Sequence, residues 1–492
     1  MGKYLLVIDQ GTTSSRVLFI NKQGKALYKQ QMEISLIECK DGKIVQNPEE
    51  IINSVKVLIE QAFLKSKIKP TEVEAIGITN QRETTIIWDK KTGKPVYQAI
   101  SWQSKHTYPI AEQWIKEGLK EKVFHKTGLE INPYFSASKI RYILDQVKSC
   151  DDLMFGTVDT FLLYHLTNGK SFKTDVTNAA RTMLFNIETL KWDDELLDLF
   201  KIPRSILPEV VANDSYFGDF VYDGVKIPIM AMIGDQQSSL FGHQAFLPGQ
   251  LKCTYGTGGF ILVNIGENIK LSKNKLLTTV AWQINGKTSY ALEGSIFICG
   301  AIVQWLRDEM KIIRIPKESE QLSLNSSDND VYVVPAFVGL GTPYWDSEVK
   351  AAIFNLKRKT TRNDIVRASL NSIVYQIEEI LALLKEETLL ETFEMSADGG
   401  ASENNYLMQF QSDISNININ QTEQKEVTAL GAGYIAGLKT GFFKDTLELK
   451  RFQKIKKIFY PEMETKERER LFSNWKQAVR SAQSFKLIKE EK

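Results

Sequence analysis

Apolar runs broken by polar turns give the chain its first visible order. Tyr4–Ile8 and Val17–Ile20 are runs of strand length on either side of a short polar turn, a β-hairpin pattern. Residues 252–265 read again as strand, Gly-Thr turn, strand, near the middle of 492 residues. Between them, Pro48–Leu64 carries apolar residues at helical spacing (Ile51, Ile52, Val55, Val57, Leu58, Ala62, Phe63), with Asn47-Pro48 as its start signal. Val73–Ile78 predicts a strand running into Thr79–Thr85, with a further strand at Ile86–Trp88, and Ile229–Ile233 an apolar run ending at Gly234-Asp235. In the second half, Leu292–Ser295 leads into an apolar helical run containing Gly300, Gln304 and Trp305. Ser323–Asp330 predicts a loop, Val333–Leu340 a strand before the aromatic turn Gly341–Asp346, and Thr361–Leu384 a long helix. Asp398–Asn405 is a glycine turn entering a helix at Tyr406–Ile414. Thr428–Gly437 is a close-packed helix of small residues. From Tyr460-Pro461 to the end the chain reads as a charged amphipathic helix with Leu471, Trp475 and Val479 as its stripe.

The length allows about three domains, or two large α/β ones. Hydrophobic residues at 43% and charged ones at 25% describe an ordinary globular protein, and 62 basic against 60 acidic residues leave no footprint for nucleic acid or an anionic membrane. Cys39, Cys150, Cys253 and Cys299 lack C-x-x-C spacing, which argues against a disulfide framework or zinc knuckle and for a reducing compartment. Lys3 is followed by only five apolar residues, Leu6 stands where myristoylation wants Ser or Thr, and no apolar run approaches the ~20 residues of a membrane span. A cytoplasmic protein is expected.

The first turn offers Asp9, Gly11, the hydroxyls Thr12, Thr13, Ser14 and Ser15, and Arg16. Turn amides, hydroxyls and a guanidinium hold phosphate oxygens, and a carboxylate at a strand end can hold magnesium through water. A polar turn with Asp9 bonding its own backbone fits the local pattern equally well. The repeat of the device at Gly256-Thr257-Gly258 tips the balance, because one such turn per half suggests two similar domains facing each other across a phosphate. Arg82-Glu83 at a strand end is either a surface ion pair of little worth or a grip on hydroxyls, Arg82 donating and Glu83 accepting. Trp102-Gln103 and Asn132–Ser136 offer aromatics that can cover a small carbon backbone, though either aromatic alone is more often core. Asp235 is an N-cap or a general base, and the local pattern does not separate these. Gly399-Gly400 suits a flat base lying on backbone. No Gly-x4-Gly-Lys-Ser/Thr occurs, which excludes the P-loop solution.

The paired turns resemble those of the sugar kinase, actin and Hsp70 superfold. Asp-Gln-Gly-Thr-Thr-Ser-Ser-Arg, Gly-Ile-Thr-Asn-Gln-Arg-Glu-Thr, Pro-Tyr-Phe-Ser, Arg-Thr-Met-Leu-Phe-Asn-Ile, Gly-Asp-Gln-Gln, Tyr-Gly-Thr-Gly and Asp-Gly-Gly-Ala stand here in order, from residue 4 to about 480. That narrows the resemblance to the glycerol kinases of the FGGY carbohydrate kinase family. It implies an α/β fold of two ribonuclease-H-like (actin-like ATPase) domains, residues 1–245 and 246–492, with the active site in the cleft between them. It also implies ATP, Mg²⁺ and glycerol as ligands, in-line transfer to a terminal hydroxyl, and a homo-oligomer, dimer or tetramer. By the same resemblance Arg82, Glu83, Tyr134, Asp235 and Gln236 bind glycerol, Trp102 covers it, and Asp235 is the general base. Thr12, Thr13, Ser14 and Arg16 hold ATP phosphates with Thr257 opposite; Gly300, Gln304, Gly400 and Asn404 frame the nucleoside; Asp9 organises Mg²⁺. A kinase of another polyol or ketose in the same family is the alternative, and an actin-like switch without a small acceptor a more distant one.

Two stretches depart from the family pattern. Trp-Gln-x-Arg-Arg-Thr is here Trp102-Gln103-Ser104-Lys105-His106-Thr107, exchanging planar forks for a point charge and an imidazole. Gly-Trp-Val-Glu-His-Asp-Pro is here Gly42-Lys43-Ile44-Val45-Gln46-Asn47-Pro48. Affinity, regulation and subunit contacts are where these changes are expected to act. Some bacterial relatives are switched on through a phosphorylated histidine in the loop before Gly-Asp-Gln-Gln; here that loop, Val211–Lys226, contains none.

Overall fold

The structure, a computed structural model, describes residues 2–39, 42–147, 151–328, 330–346, 348–388 and 394–485; Cys150 and the last seven residues of the expected C-terminal helix lie outside these. Two twisted sheets with helices on their faces carry the chain. In the first, Tyr4–Gln10 is central, antiparallel to Ser14–Asn21 on one side and parallel to Val73–Asn80 on the other. Val225–Gly234 extends the parallel set, and Ala26–Glu33 and Gly218–Tyr222 close the edges. Leu5–Ile8, Val17–Ile20 and Ile76 are fully buried, the continuous apolar reading that parallel strands covered on both faces require.

The second sheet repeats the plan. Leu251–Tyr255 is antiparallel to Gly259–Gly266 and parallel to Glu394–Asp398, which in turn pairs in parallel with Asn418–Thr422. A hairpin of Leu277–Ile284 and Lys287–Ile296 widens one edge and Ile455–Phe459 closes the other. The registers matter for function. Asp9 lies opposite Thr79 and Gly234 opposite Asn80, so three parallel strands of the first sheet end together. Thr254 lies opposite Asp398, so two strands of the second sheet end together as well. Ligands bind outside such carboxyl ends.

Two helices join the halves. Asp235–Gly242 leaves the first sheet and contacts the strand Gly259–Gly266 of the second, while Val427–Lys439, late in the chain, packs back on the parallel strands of the first. They touch backbone to backbone: a Cβ on Gly431 would sit 1.9 Å from the Ser238 carbonyl oxygen. The small residues of this helix therefore serve the close packing expected of them.

Most expected elements form with slightly wider bounds, the long helix spanning Arg362–Thr388 and the first helix Pro48–Ser66, where Asn47 accepts a hydrogen bond from the Glu49 N–H as N-cap. The expected strand Val333–Leu340 is a departure. Only Tyr332–Val334 forms a strand, because Pro335 has no N–H to donate and Gly339, at φ +86°, turns the chain; beyond it Phe337 and Leu340 make isolated bridges, the latter with Asp346.

Candidate functional site

Arg82, Glu83 and Asp235 follow the ends of Val73–Asn80 and Val225–Gly234, and the aligned register delivers them to one place. The Arg82 Nε lies 3.4 Å from Asp235 Oδ1. Arg82 and Glu83, neighbours in sequence, do not form a tight pair, their closest approach being 3.9 Å. Arg82 instead presents both ends of its fork to Glu293 of the second half, at 2.7 and 2.9 Å, and donates to the Gln237 Oε1 at 3.1 Å. Glu83 accepts from Arg181 Nε at 2.6 Å, and the Arg181 Nη2 also reaches Glu293, at 3.0 Å. All four charged side chains are buried, so the surface-pair reading of Arg82-Glu83 fails. Glu83 has φ +60°, a left-handed conformation that a non-glycine residue adopts at a cost of order 1–3 kcal/mol and that is concentrated at functional sites.

The two carboxyls of this network behave differently. Burial pushes Glu83 above the usual carboxylate range, since only one guanidinium nitrogen bonds it closely. Burial acts on Glu293 too, but Arg181 and Arg82 both reach it and hold it down at about 2. Asp235 is also pushed up by burial, against Arg82 and Lys252, which lower it. Gln236 bridges the pair: its side chain bonds Asp235 and accepts from Lys252 Nζ. Tyr134 stands over Arg181, the guanidinium 5.5 Å from its ring, and Trp102 meets Tyr134 edge-on at 5.7 Å. Lys139, fully buried, donates to the Pro133, Tyr134 and Phe135 carbonyls at 2.6, 2.7 and 3.0 Å, and burial pushes its ammonium down to about 7.

Beside this pocket lies the first turn. Gly11 N–H donates to the Ser14 carbonyl, and Arg16 Nη1 stands 3.3 Å from Asp9 Oδ2. The Thr12 hydroxyl accepts from Trp102 Nε1 at 2.8 Å, so the phosphate turn and the aromatic cover are one unit. Gln46 Nε2 donates to the Thr12 carbonyl at 2.7 Å, and Lys105 Nζ crosses the cleft to the Val338 carbonyl. Both divergent stretches therefore touch the cleft walls. Burial pushes Asp9 up to about 6, and the Asp235 charge adds to the shift. A carboxylate so poorly compensated suits a cation. Among the described residues no three His, Cys, Asp or Glu side chains cluster as metal ligands, so a cation here would complete its shell with phosphate oxygens and water.

Across the cleft, Tyr255-Gly256-Thr257 and the start of the helix Gly300–Asp308 border a cavity of about 930 Å³. Gln304, Gly400 and Asn404 line it too, so all five nucleotide-side candidates of the second half share one cavity. Gly399 must be glycine: at φ +90° its Cβ would lie 2.5 Å from the Tyr255 carbonyl oxygen. Asn404 also caps its helix, accepting from the Leu407 N–H at 3.0 Å. Asp398, at the head of this turn, pairs with His243 Nε2 at 3.1 Å; burial opposes the effect, but the imidazole holds it down at about 2.

Sequence reasoning missed Arg181, Glu293, Lys252 and Lys139. Glu293 and Lys252 carried a usable signal in part: Lys252 is the one charge of Leu251–Tyr255, and Glu293 follows the apolar run Tyr290–Leu292. Arg181 opens the Arg-Thr-Met-Leu-Phe-Asn-Ile motif, whose residues show no local sign of a partner.

Two sheets of one plan, a carboxylate–guanidinium pocket on one wall of the cleft and a nucleotide-sized cavity on the other define a phosphotransferase of the actin-like ATPase fold. Residues 4–242 match the N-terminal domain, and 251–439 the C-terminal domain, of the FGGY family of carbohydrate kinases, and the chain belongs to that family. It is 49% identical over 493 residues to the glycerol kinase of Streptococcus gordonii, covering 98% of each chain, and 50% identical over 494 residues to that of Lactococcus lactis subsp. lactis, covering 98% of this chain and 99% of that one. Among solved structures, Plasmodium falciparum glycerol kinase with ADP superposes at a TM-score of 0.91 and 34% identity, over 99% of this chain and 100% of that one. A xylulose kinase from Lactobacillus acidophilus shares the fold at a TM-score of 0.87 and 20% identity, over 98% of both chains.

Proposed function

We propose that the chain transfers the γ-phosphoryl group of ATP to glycerol, giving sn-glycerol 3-phosphate and ADP by in-line displacement. The observation that carries this reading is the approach of Arg82 to Asp235 at 3.4 Å beside the buried Glu83, across the cleft from the nucleotide-sized cavity. A guanidinium N–H and an acceptor carboxylate side by side match neighbouring hydroxyls, which a hydrocarbon cannot satisfy. Trp102 and Tyr134 cover the carbon backbone, and Gln236 adds a donor and an acceptor. Asp235, raised by burial yet steadied by Arg82 and Lys252, accepts the proton of the attacking hydroxyl as general base. Thr12, Thr13, Ser14 and Arg16 on one wall and Thr257 on the other hold the phosphates, while Gly300, Gln304, Gly400 and Asn404 take the nucleoside. Asp9 would hold Mg²⁺, which when bound neutralises charge on the phosphate oxygens.

The halves 1–245 and 246–492 act as two bodies that close on the ligands and exclude water. A cytoplasmic homo-oligomer follows from the family likeness; of the described residues, no helix is long and apolar enough to cross a membrane. The test is ADP release coupled to NADH oxidation, with glycerol set against a panel of polyols and ketoses. Turnover with glycerol at a kcat/KM far above the rest supports the reading, and preference for a ketose overturns it.

A further inference from the structure

We propose that Arg181 is a positioning residue for the acceptor pocket, holding Glu83 in its accepting orientation and tying it through Glu293 to Arg82. The inference rests on glycerol being the acceptor. Arg181 is fully buried and bonds both carboxylates, Glu83 at 2.6 Å and Glu293 at 3.0 Å, while Glu293 engages the whole fork of Arg82. The order Glu83–Arg181–Glu293–Arg82 is thus a chain of alternating charge whose two ends are the acceptor and donor of the pocket. Arg181 also lies against the aromatic wall, 5.5 Å from the Tyr134 ring and 5.1 Å from the Phe135 ring. One side chain therefore sets both the acceptor and the cover.

The segment that carries Arg181 is itself braced to the same strand ends. Thr177 Oγ1 accepts from the Gly234 N–H at 2.9 Å, just before Asp235, and Asn178 exchanges two hydrogen bonds of 3.0 Å with Asn80, just before Gln81-Arg82. Asp175 caps this turn, accepting from the Thr177 and Asn178 N–H groups. Asp175–Arg181 thus bears on both strand ends and on Glu83 and Glu293. As a stabilising device a buried ion chain is poor, since apolar residues of similar volume often do as well or better. Its contribution is orientation. Glu83, in its left-handed conformation and with its closest bond from a single nitrogen, is the member that most needs holding.

The groups facing Glu83 are Arg82, Arg181, Glu293, Tyr134 and Lys139. Removing Arg181 leaves Glu83 with Arg82 at 3.9 Å and Lys139 as its cations, so it protonates at higher pH and ceases to be a pure acceptor. The experiment compares wild type, Arg181→Gln and Arg181→Lys, varying glycerol and ATP separately across pH. For Arg181→Gln, loss of charged hydrogen bonds raises the glycerol KM roughly 10–100-fold, leaves that of ATP within about threefold, and moves the acid limb of kcat/KM for glycerol upward. Arg181→Lys keeps the charge without the fork, so it gives a smaller rise in glycerol KM and leaves the acid limb in place. Equal effects on the two substrates, or an unmoved acid limb in Arg181→Gln, overturn the inference. If Arg181→Gln does not fold, Arg181→Lys decides: an unchanged glycerol KM overturns it and a selective rise supports it. A wild type that does not phosphorylate glycerol overturns the functional reading itself.

Discussion

Arg82→Ala is the most informative single change, because the structure fixes what the alanine leaves behind. Arg82 supplies two of the three short bonds to Glu293, at 2.7 and 2.9 Å, and the remaining one comes from Arg181 at 3.0 Å. Breaking one partner out of a buried pair costs about 3–5 kcal/mol, and the surviving Arg181 contact puts this case near 3. Glu83 keeps its short bond from Arg181 but loses the nearby Arg82 charge, so burial pushes its carboxyl higher still. With folded proteins stable by about 5–15 kcal/mol, the variant folds but melts earlier. Glycerol also loses its donor, so its KM rises on the order of 100-fold; ATP, whose cavity Arg82 does not line, keeps its KM within about threefold.

The pH dependence has a definite sign. Glu293 sits at about 2 in the folded protein against an ordinary 4.5, so its stabilising contribution is complete above 4.5 and disappears as pH falls through 2. Arg82→Ala removes much of that contribution. The Glu293 part of the stability gap between wild type and variant is therefore constant above about 4.5 and narrows below it. Denaturant melts at several pH values, with coupled kinetics at neutral pH, measure both effects. A glycerol KM that moves no more than that of ATP, or a stability gap that stays constant down to pH 2.5, refutes the reasoning.

Asp235→Asn keeps the shape but removes the base, and kcat falls about 10²–10⁴-fold while calorimetry finds ATP bound as before; near wild-type turnover would overturn its role as base. Since Gly234 is the N-cap of its helix, without a side-chain cap bond, capping would not explain the residue either. Gly431→Ala forces a methyl group to within 1.9 Å of the Ser238 carbonyl oxygen, so the two helices must part; overpacking of this kind costs about 1–3 kcal/mol in a denaturant melt, and an unchanged midpoint would count against the close crossing. Closure of the halves predicts a smaller radius of gyration by X-ray scattering with glycerol and a non-hydrolysable ATP analogue than without. Incubation with phosphorylated phosphocarrier protein is expected to leave activity unchanged, because Val211–Lys226 has no histidine and a phosphate orders a loop only where a residue presents it. His106, bonded to Ser104 at 2.7 Å beside the cleft, is the residue to map; its stable phosphorylation with a several-fold gain in kcat overturns this.

The sequence by itself determined what local chemistry can write. Strand-length apolar runs, a start signal such as Asn47-Pro48 and the repeated Gly-Thr turn depend on residues close in the chain, and the elements and the doubled plan follow from them. So do the ends of the strands that carry Asp9, Arg82 and Asp235, because a parallel strand buried on both faces announces itself by its apolar run. Where Pro335 intervened, even that reading overran. Only the tertiary structure decided the pairing of charges. Arg82 and Glu83 are adjacent, yet they lie in the bend after Val73–Asn80, with Glu83 at φ +60°, and their side chains find different partners. Their close partners, Glu293 and Arg181, come from 211 and 98 residues away. Nothing local marks those distances, because the register of Val73–Asn80 against Val225–Gly234 and the meeting of the two halves create them. The helix Val427–Lys439 shows the same limit: its small residues indicate close packing, but only the fold places it against Tyr4–Gln10 and Val73–Asn80 of the first sheet, more than 300 residues earlier in the chain.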